Sequence, residues 1–291
     1  MLAFPTGDDV YDHSPDAPFA LRVKELISAP PPRERHALNR DVSEEAIASL
    51  KSPTVRPAGF PKVAKEPTNT CYLGFGGGGG LTWSCVCCDA TTRAFLRAHP
   101  LFQSPLCIEP HVSKLAFRVA DDGTAHGKGL IATRNIARGD VIVREPPLLV
   151  LQIRMTVAFV ATLDRLIDYA MHSSARPAFD ELFDCWPAND VGRSIGIART
   201  NMLGIRLPSC EEPFGGTFQL ISRVNHSCEP NATWDWDYKT FQCTLTATRN
   251  IKPGDEITFS YISLRNRTKM QRREELQRMY RFRCTCTRCG P

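Results

Sequence analysis

Residues 222–236 read SRVNHSCEPNATWDW, and within them an amide, an imidazole, a hydroxyl and a thiol stand side by side at Asn225, His226, Ser227 and Cys228. Pro230 biases Glu229 away from helical geometry, so 225–231 is expected to be a constrained loop between Leu220-Ile221 and the aromatic run Thr233 to Tyr238. Such a loop can offer an amide to a ligand, a ring to a flat face and a thiolate to a metal. Each residue alone fits a polar turn capped by Asn225. Their conjunction with GDEITFSY at 254–261 and FRCTCTRCGP at 282–291 argues for a site.

The terminal run holds Cys284, Cys286 and Cys289 within six residues. Disulfides this short are strained, whereas a Cys-x-Cys-x-x-Cys loop wraps readily around one tetrahedral Zn²⁺. Structural zinc sites are closed, so a fourth ligand must come from elsewhere. The spacing leaves Cys185, Cys210, Cys228 and Cys243 as candidates. Cys71, Cys85, Cys87, Cys88 and Cys107 lack the paired spacing of zinc ribbons and are expected to be free thiols. The opening MLAFPTGDDVYDHSPD has acidic residues and Pro5 where a secretory leader needs a basic start and an apolar core. The twelve cysteines are therefore read as thiolates and metal ligands, not as bridges.

Working outward, KLAFRVA, GLIAT, DVIVREP and PLLVLQI from Lys114 onward are short β-type runs separated by turn residues, and strand texture resumes at QCTLTATRNI and DEITFSYI. Between them, Phe159, Leu163, Leu166 and Ile167 at spacings of three and four predict a helical insert. TKMQRREELQRMY puts Leu276, Met279 and Tyr280 on one helical face, and the basic run 265–283 reads as a solvated helix surface. The segments 132–140, ATRNIARGD, and 247–255, ATRNIKPGD, are nearly one phrase, each read as strand, turn, strand. Residues 1–112, with Pro30-Pro31-Pro32 and Gly76 to Gly80, resist regular packing apart from short helices at Pro18 to Ser28 and Ser43 to Leu50. Gly127-Lys128-Gly129-Leu130-Ile131-Ala132 mimics a dinucleotide turn, but Gly139 arrives before a helix could form, so the glycines fit either a close backbone approach to some ligand or a plain hairpin turn. The apolar stretch from Pro146 to Leu163 is cut by Arg154 and falls short of the roughly 20 residues a membrane span needs. A net charge of +5 is well below the basic footprint of a dedicated nucleic-acid binder.

The ordered set GKGLIAT, Thr200-Asn201, SRVNHSCEPN, GDEITFSY and YRFRCTCTRC resembles the SET-domain protein lysine methyltransferases over 114–291. It is nearest the branch whose SET domain usually carries a MYND zinc finger, which shares the helical insert and the Cys-x-Cys-x-x-Cys terminus. It departs from that branch in lacking the finger: where seven cysteines and a histidine are needed, 151–200 offers only Cys185 and His172. The C-terminal helical repeats of the longer members are expected to be missing too.

The resemblance implies an α+β SET fold of small β-sheets with knot-like C-terminal threading. A largely flexible region 1–112 would precede a SET domain at 113–262 with its helical insert at 152–200, then a post-SET helix and zinc-binding segment at 263–291. It implies that Lys128, Gly129 and Leu130 line an S-adenosylmethionine pocket largely through backbone, with Asn201 and Ser222 contributing. Asn225 would hold the methionine portion and His226 flank the adenine. Cys228 would be the fourth zinc ligand beside Cys284, Cys286 and Cys289. Tyr261 would be the catalytic tyrosine, touching cofactor and substrate, while Tyr280 and Phe282 complete the lysine channel and the cofactor's lid. The implied activity is methyl transfer to the ε-amine of a protein lysine, on a histone tail or another protein. The alternative is a catalytically inactive SET module that binds protein or chromatin. A monomer of the nucleus or cytoplasm, neither secreted nor membrane-bound and without direct nucleic-acid binding, is expected.

Overall fold

Short β-branched runs broken by Gly-Asp and Pro-Pro turns cannot make long strands, and the strands among the described residues are two to six residues long. The structure is a computed structural model that describes residues 70–75, 84–89, 94, 98, 111–112, 116–121, 127–152, 164, 167–168, 171, 175–186, 192–207 and 214–290. In chain order the elements are β1 (Thr70–Phe75), β2 (Ser84–Asp89), β3 (His111–Val112), β4 (Phe117–Asp121), β5 (Lys128–Ala132), β6 (Val141–Glu145) and β7 (Leu149–Gln152). Then come α1 (Arg176–Asp180), α2 (Arg193–Asn201), β8 (Leu203–Ile205), β9 (Phe214–Thr217), a 3-10 turn (Ile221–Arg223) and β10 (Asn225–His226). The chain continues through β11 (Ala232–Asp237), β12 (Gln242–Ala247), β13 (Glu256–Phe259) and α3 (Lys269–Tyr280). The architecture is α+β, with small mixed sheets and few helices. Among the described residues no helix is long and apolar enough to cross a membrane.

The described residues divide into two compact units: those within 111–146 and 218–290 form one, and those within 70–98 and 147–217 form the other. The second unit carries a five-stranded sheet in the order β1-β2-β7-β9-β8. Two of its strands come from the region expected to lack regular structure. TCYLGF and SCVCCD pair antiparallel from Thr70↔Asp89 to Phe75↔Ser84, and β2 then runs parallel to β7. Proline and glycine punctuate this region without excluding strand between them, because ladder bonds to β7 supply what local propensity does not. The Gly76 to Gly80 run, the helices expected near 18–28 and 43–50, and Phe159, Leu163 and Leu166 lie outside the described residues. Of the helical insert, Ile167 is helical and buried, and α1 and α2 follow it.

The first unit contains two four-stranded sheets, β10-β13-β5-β4 and β11-β12-β6-β3. The two near-identical phrases of the sequence lie here and pair with each other. Ile136 and Ile251 exchange backbone hydrogen bonds at 2.9 Å in both directions. On one side Ala132 N–H donates to Asp255 O (2.9 Å), and on the other Ala247 N–H donates to Asp140 O (3.0 Å). Each phrase turns on an Asp whose Oδ2 accepts a backbone N–H three residues earlier, Ala137 and Lys252 respectively. Gly139 (φ 92°) and Gly254 (φ 89°) supply the left-handed residue of each turn. The repetition is thus a local pseudo-twofold clasp, and it fixes β5 against β13.

β6 ends at Glu145, whose side chain is buried and accepts backbone N–H groups of Leu220 (2.8 Å) and Ile221 (2.6 Å). The carboxylate so anchors the 3-10 turn that leads into β10. Burial pushes its pKa up from the ordinary 4.5 to about 7, against the lowering pull of those hydrogen bonds and of Arg223. Because the folded pKa lies above the unfolded one, the protein binds more protons folded than unfolded between these values. Stability contributed by this group is full below about 4.5 and lost as pH rises through about 7. Glu145→Gln, which keeps an acceptor oxygen, is expected to remove that loss. Denaturant titrations from pH 4.5 to 7.5 should show wild type losing on the order of 3 kcal/mol relative to the variant. Parallel pH profiles would disprove it.

α3 starts at Thr268, whose side chain accepts Gln271 N–H while the Gln271 side chain accepts Thr268 N–H, a reciprocal cap. It stops at Arg281 in the left-handed conformation (φ 62°). Leu276 is buried beneath it, as the periodicity predicts.

Candidate functional site

The 225–231 segment is tied to β13 along its length. Asn225 and His226 form a two-residue parallel strand against Thr258 and Phe259, where an irregular loop is expected from sequence. At the far end the buried Asn231 side chain donates to Glu256 O (2.8 Å) and accepts Thr258 N–H (2.8 Å). Each of the four polar groups has its own task. Asn225 Nδ2 donates to Glu256 Oε1 (2.8 Å). Ser227 Oγ accepts Glu229 N–H (3.0 Å) and closes the turn. His226 Nδ1 accepts Tyr261 N–H (3.0 Å), and its Nε2 lies 3.3 Å from Cys228 Sγ. With Nδ1 accepting, the hydrogen-bond pattern assigns the proton of the neutral ring to Nε2, aimed at sulfur.

Gly129 of β5 approaches this loop closely. A Cβ there would lie 2.6 Å from Glu256 Oε1 and 2.8 Å from Asn225 Nδ2, so any larger residue would have to displace these two side-chain ends. The GKG turn and the Asn225 amide consequently share one cradle. Lys128 is exposed, and Leu130 is fully buried in the sheet opposite Ile257. Ser222 Oγ accepts Phe218 N–H (2.8 Å). Asn201 belongs to the second unit, where its amide donates to Phe183 O and Ile197 O, each at 2.7 Å.

Four sulfurs, of Cys228, Cys284, Cys286 and Cys289, lie within 4.8 Å of one another. Cys228 is 4.0 Å from Cys284 and 3.5 Å from Cys289. A tetrahedron of thiolates around zinc has sulfur-to-sulfur edges of ~3.8 Å, given a Zn–S bond of about 2.3 Å. The donor set and its spacing fit that ion. Of the other candidate fourth ligands, Cys243 is buried on β12 opposite Glu145, Cys185 is held by Thr200 in the second unit, and Cys210 lies outside the described residues. Burial raises the Cys284 thiol to about 11. At Cys286 burial also raises it, but hydrogen bonds from the Cys228 backbone and neighbouring sulfurs outweigh that and bring it to about 7.

Packed against the sulfurs, aromatic rings gather around Tyr261. Tyr280 is 4.8 Å away between centroids, His226 and Phe259 are each 5.3 Å away, and Phe282 stands edge-on at 6.5 Å. The Tyr261 hydroxyl donates to Val224 O at 2.8 Å. With its proton committed there, the oxygen presents its lone pairs as acceptors.

The expected solvated face of the basic helix is only partly so. Arg272 is 3% exposed, and its guanidinium reaches the cysteine cluster. Glu145 and Arg272 are among the residues of this region that sequence patterning does not single out. A charged residue within a charged run, or at the end of a strand, carries no periodic mark of burial.

Residues 127–262 match the SET domain family model. It is 31% identical over 164 residues, 56% of this chain and 47% of the relative, to Histone-lysine N-methyltransferase set5 of Schizosaccharomyces pombe. It is 41% identical over 76 residues to Protein-lysine N-trimethyltransferase SMYD5 of Homo sapiens, covering 25% of this chain and 18% of that protein. With Histone-lysine N-methyltransferase SMYD3 of Homo sapiens it shares 33% over 117 residues, 40% of this chain and 24% of that one. The chain thus spans half or less of these relatives' lengths.

Proposed function

We propose that this protein transfers a methyl group from S-adenosylmethionine to the ε-amine of a protein lysine, as the names of its relatives suggest. The observation that carries the reading is the aromatic enclosure of Tyr261, whose hydroxyl proton is held by Val224 O, beside the cradle of Gly129 and Asn225. When bound, the cofactor supplies a methyl group on a sulfonium centre.

The chain's residues do the rest. The β5 backbone at Lys128 and Gly129, with Asn225 and His226, would hold the cofactor, and Phe282 would cover it. The rings of Tyr261 and Tyr280 would line a narrow, largely apolar channel for the lysine stem. Burial there, next to a positive centre, favours the neutral amine that displacement requires. The Tyr261 oxygen would accept an amine N–H and so aim the nitrogen lone pair, a contribution of orientation and water exclusion. Cys228, Cys284, Cys286 and Cys289 would hold zinc, which supplies structural cross-linking of the C-terminal segment. A knot-like threading of that segment and assignment of 263–291 as a post-SET cap belong to the same reading. So does a soluble protein substrate such as a histone in nucleus or cytoplasm.

The test is a thermal-shift titration of the full chain with S-adenosylmethionine, followed by labelled methyl transfer to mixed histones and cell extract. A rise in melting temperature with ligand concentration and label on lysine are expected. A shift without label under all conditions would support a binding module instead, and no shift would defeat cofactor binding altogether.

A further inference from the structure

We propose that Arg272 balances the charge of the cysteine cluster from within the core, fixing how tightly it holds a divalent cation and how reactive its sulfurs are. Arg272 Nε donates to Cys228 Sγ (3.2 Å), Nη2 to Cys289 Sγ (3.5 Å) and Nη1 to Arg267 O (2.9 Å). All three arms of one guanidinium are thus engaged, two of them on sulfurs. This inference rests on reading the cluster as a zinc site.

The physical need is plain. Four thiolates around one divalent cation leave two net negative charges. Here they sit beside Ile262 and Leu276, with Cys228, Cys284 and Cys289 buried. Burying uncompensated charge among apolar side chains is costly. A guanidinium in hydrogen-bond contact halves the excess and also draws electron density from the two sulfurs it touches. Position follows from the helix: Arg272 and Leu276, four residues apart, share the face of α3 turned to the cluster. Lysine could bring the charge but not the rigid fork that meets two sulfurs and a carbonyl at once. The neighbouring Arg273 serves differently, since its donors go to the carbonyls of Cys284, Cys289 and Gly290 and to no sulfur.

The experiment uses the full chain loaded with zinc, and with cobalt(II) as a spectroscopic replacement, in wild type, Arg272→Gln, Arg272→Lys and Arg273→Gln. Wild type should bind about one ion per chain; if it binds none, the zinc reading fails and Arg272 has nothing to balance. Given binding, Arg272→Gln should release zinc to a chelator about 10- to 100-fold faster. It should also lose zinc faster to N-ethylmaleimide and shift the sulfur-to-cobalt charge-transfer band to longer wavelength. Arg272→Lys should fall between. Arg273→Gln, which removes donors to backbone carbonyls only, should leave the band in place. A folded Arg272→Gln with wild-type release rate, alkylation rate and band overturns the proposal. Should that variant not fold, Arg272→Lys carries the test, and wild-type values for it overturn the assignment of the fork.

Discussion

Tyr261→Phe is expected to lower methyl transfer by about 10²-fold or more while cofactor binding stays near wild type. The substitution removes one oxygen and leaves the ring among His226, Phe259, Tyr280 and Phe282. The packing that would shape the channel therefore survives, and what is lost is the acceptor that would orient the amine. An interaction used in the transition state more than in the ground state appears in kcat, with the KM for cofactor little changed. A structural cost accompanies it: the buried Val224 carbonyl loses the hydroxyl that donates to it at 2.8 Å. Leaving such an acceptor unpaired destabilises by about 1–3 kcal/mol, so activity should be measured well below the variant's melting temperature. Tyr280→Phe is the matched control, removing a hydroxyl from the adjacent ring. If Tyr261→Phe turns over at the wild-type rate, Tyr261 is not the catalytic tyrosine.

Legibility from sequence differed by the kind of signal involved. Strands β4 to β7, β12 and β13 fall on the β-branched and alternating runs, because the core side chains that write those patterns are the ones that fix the strands, whereas β11 was read only as an aromatic run. The terminal cysteines announced themselves by spacing, since a chelating loop needs its ligands close in the chain. The fourth sulfur did not: spacing leaves four candidates, and only the tertiary path of the chain brings Cys228, 56 residues from Cys284, to 4.0 Å from it. The β1–β2 pair was hidden for a related reason, as Thr70–Phe75 and Ser84–Asp89 sit among prolines and glycines and are stabilised by a parallel neighbour supplied much later in the chain. Arg272 and Glu145 were invisible because their burial depends on partners from other elements: sulfurs for one, backbone N–H groups of Leu220 and Ile221 for the other. The repeated ATRNI phrase was legible as a turn but not as a clasp, because self-pairing is a relation between two copies and neither copy records it.

The second large effect is expected at Cys228. Cys228→Ser preserves volume nearly but replaces a soft thiolate by a poor ligand, so bound metal should fall from about one ion per chain, with affinity down at least about 100-fold. The change should not stop at the metal. Cys228 Sγ also faces His226 Nε2 (3.3 Å) and Arg272 Nε (3.2 Å), and the other nitrogen of His226 holds the backbone of Tyr261 at 3.0 Å. One ring thus joins the sulfur cluster to the tyrosine and to the loop carrying Asn225. Loss of the sulfur frees that ring to rotate, and cofactor affinity should drop together with metal content. Stripping zinc from wild type with a chelator should reproduce the effect, and readdition should reverse it. Cys243→Ser is the control, a buried cysteine on β12 outside the cluster, and should retain its metal. A Cys228→Ser protein that keeps both its ion and its cofactor affinity would exclude Cys228 from the site and cut the link to Tyr261. One that loses the ion but binds cofactor as before would show that the cluster folds the C-terminal segment without reaching the pocket.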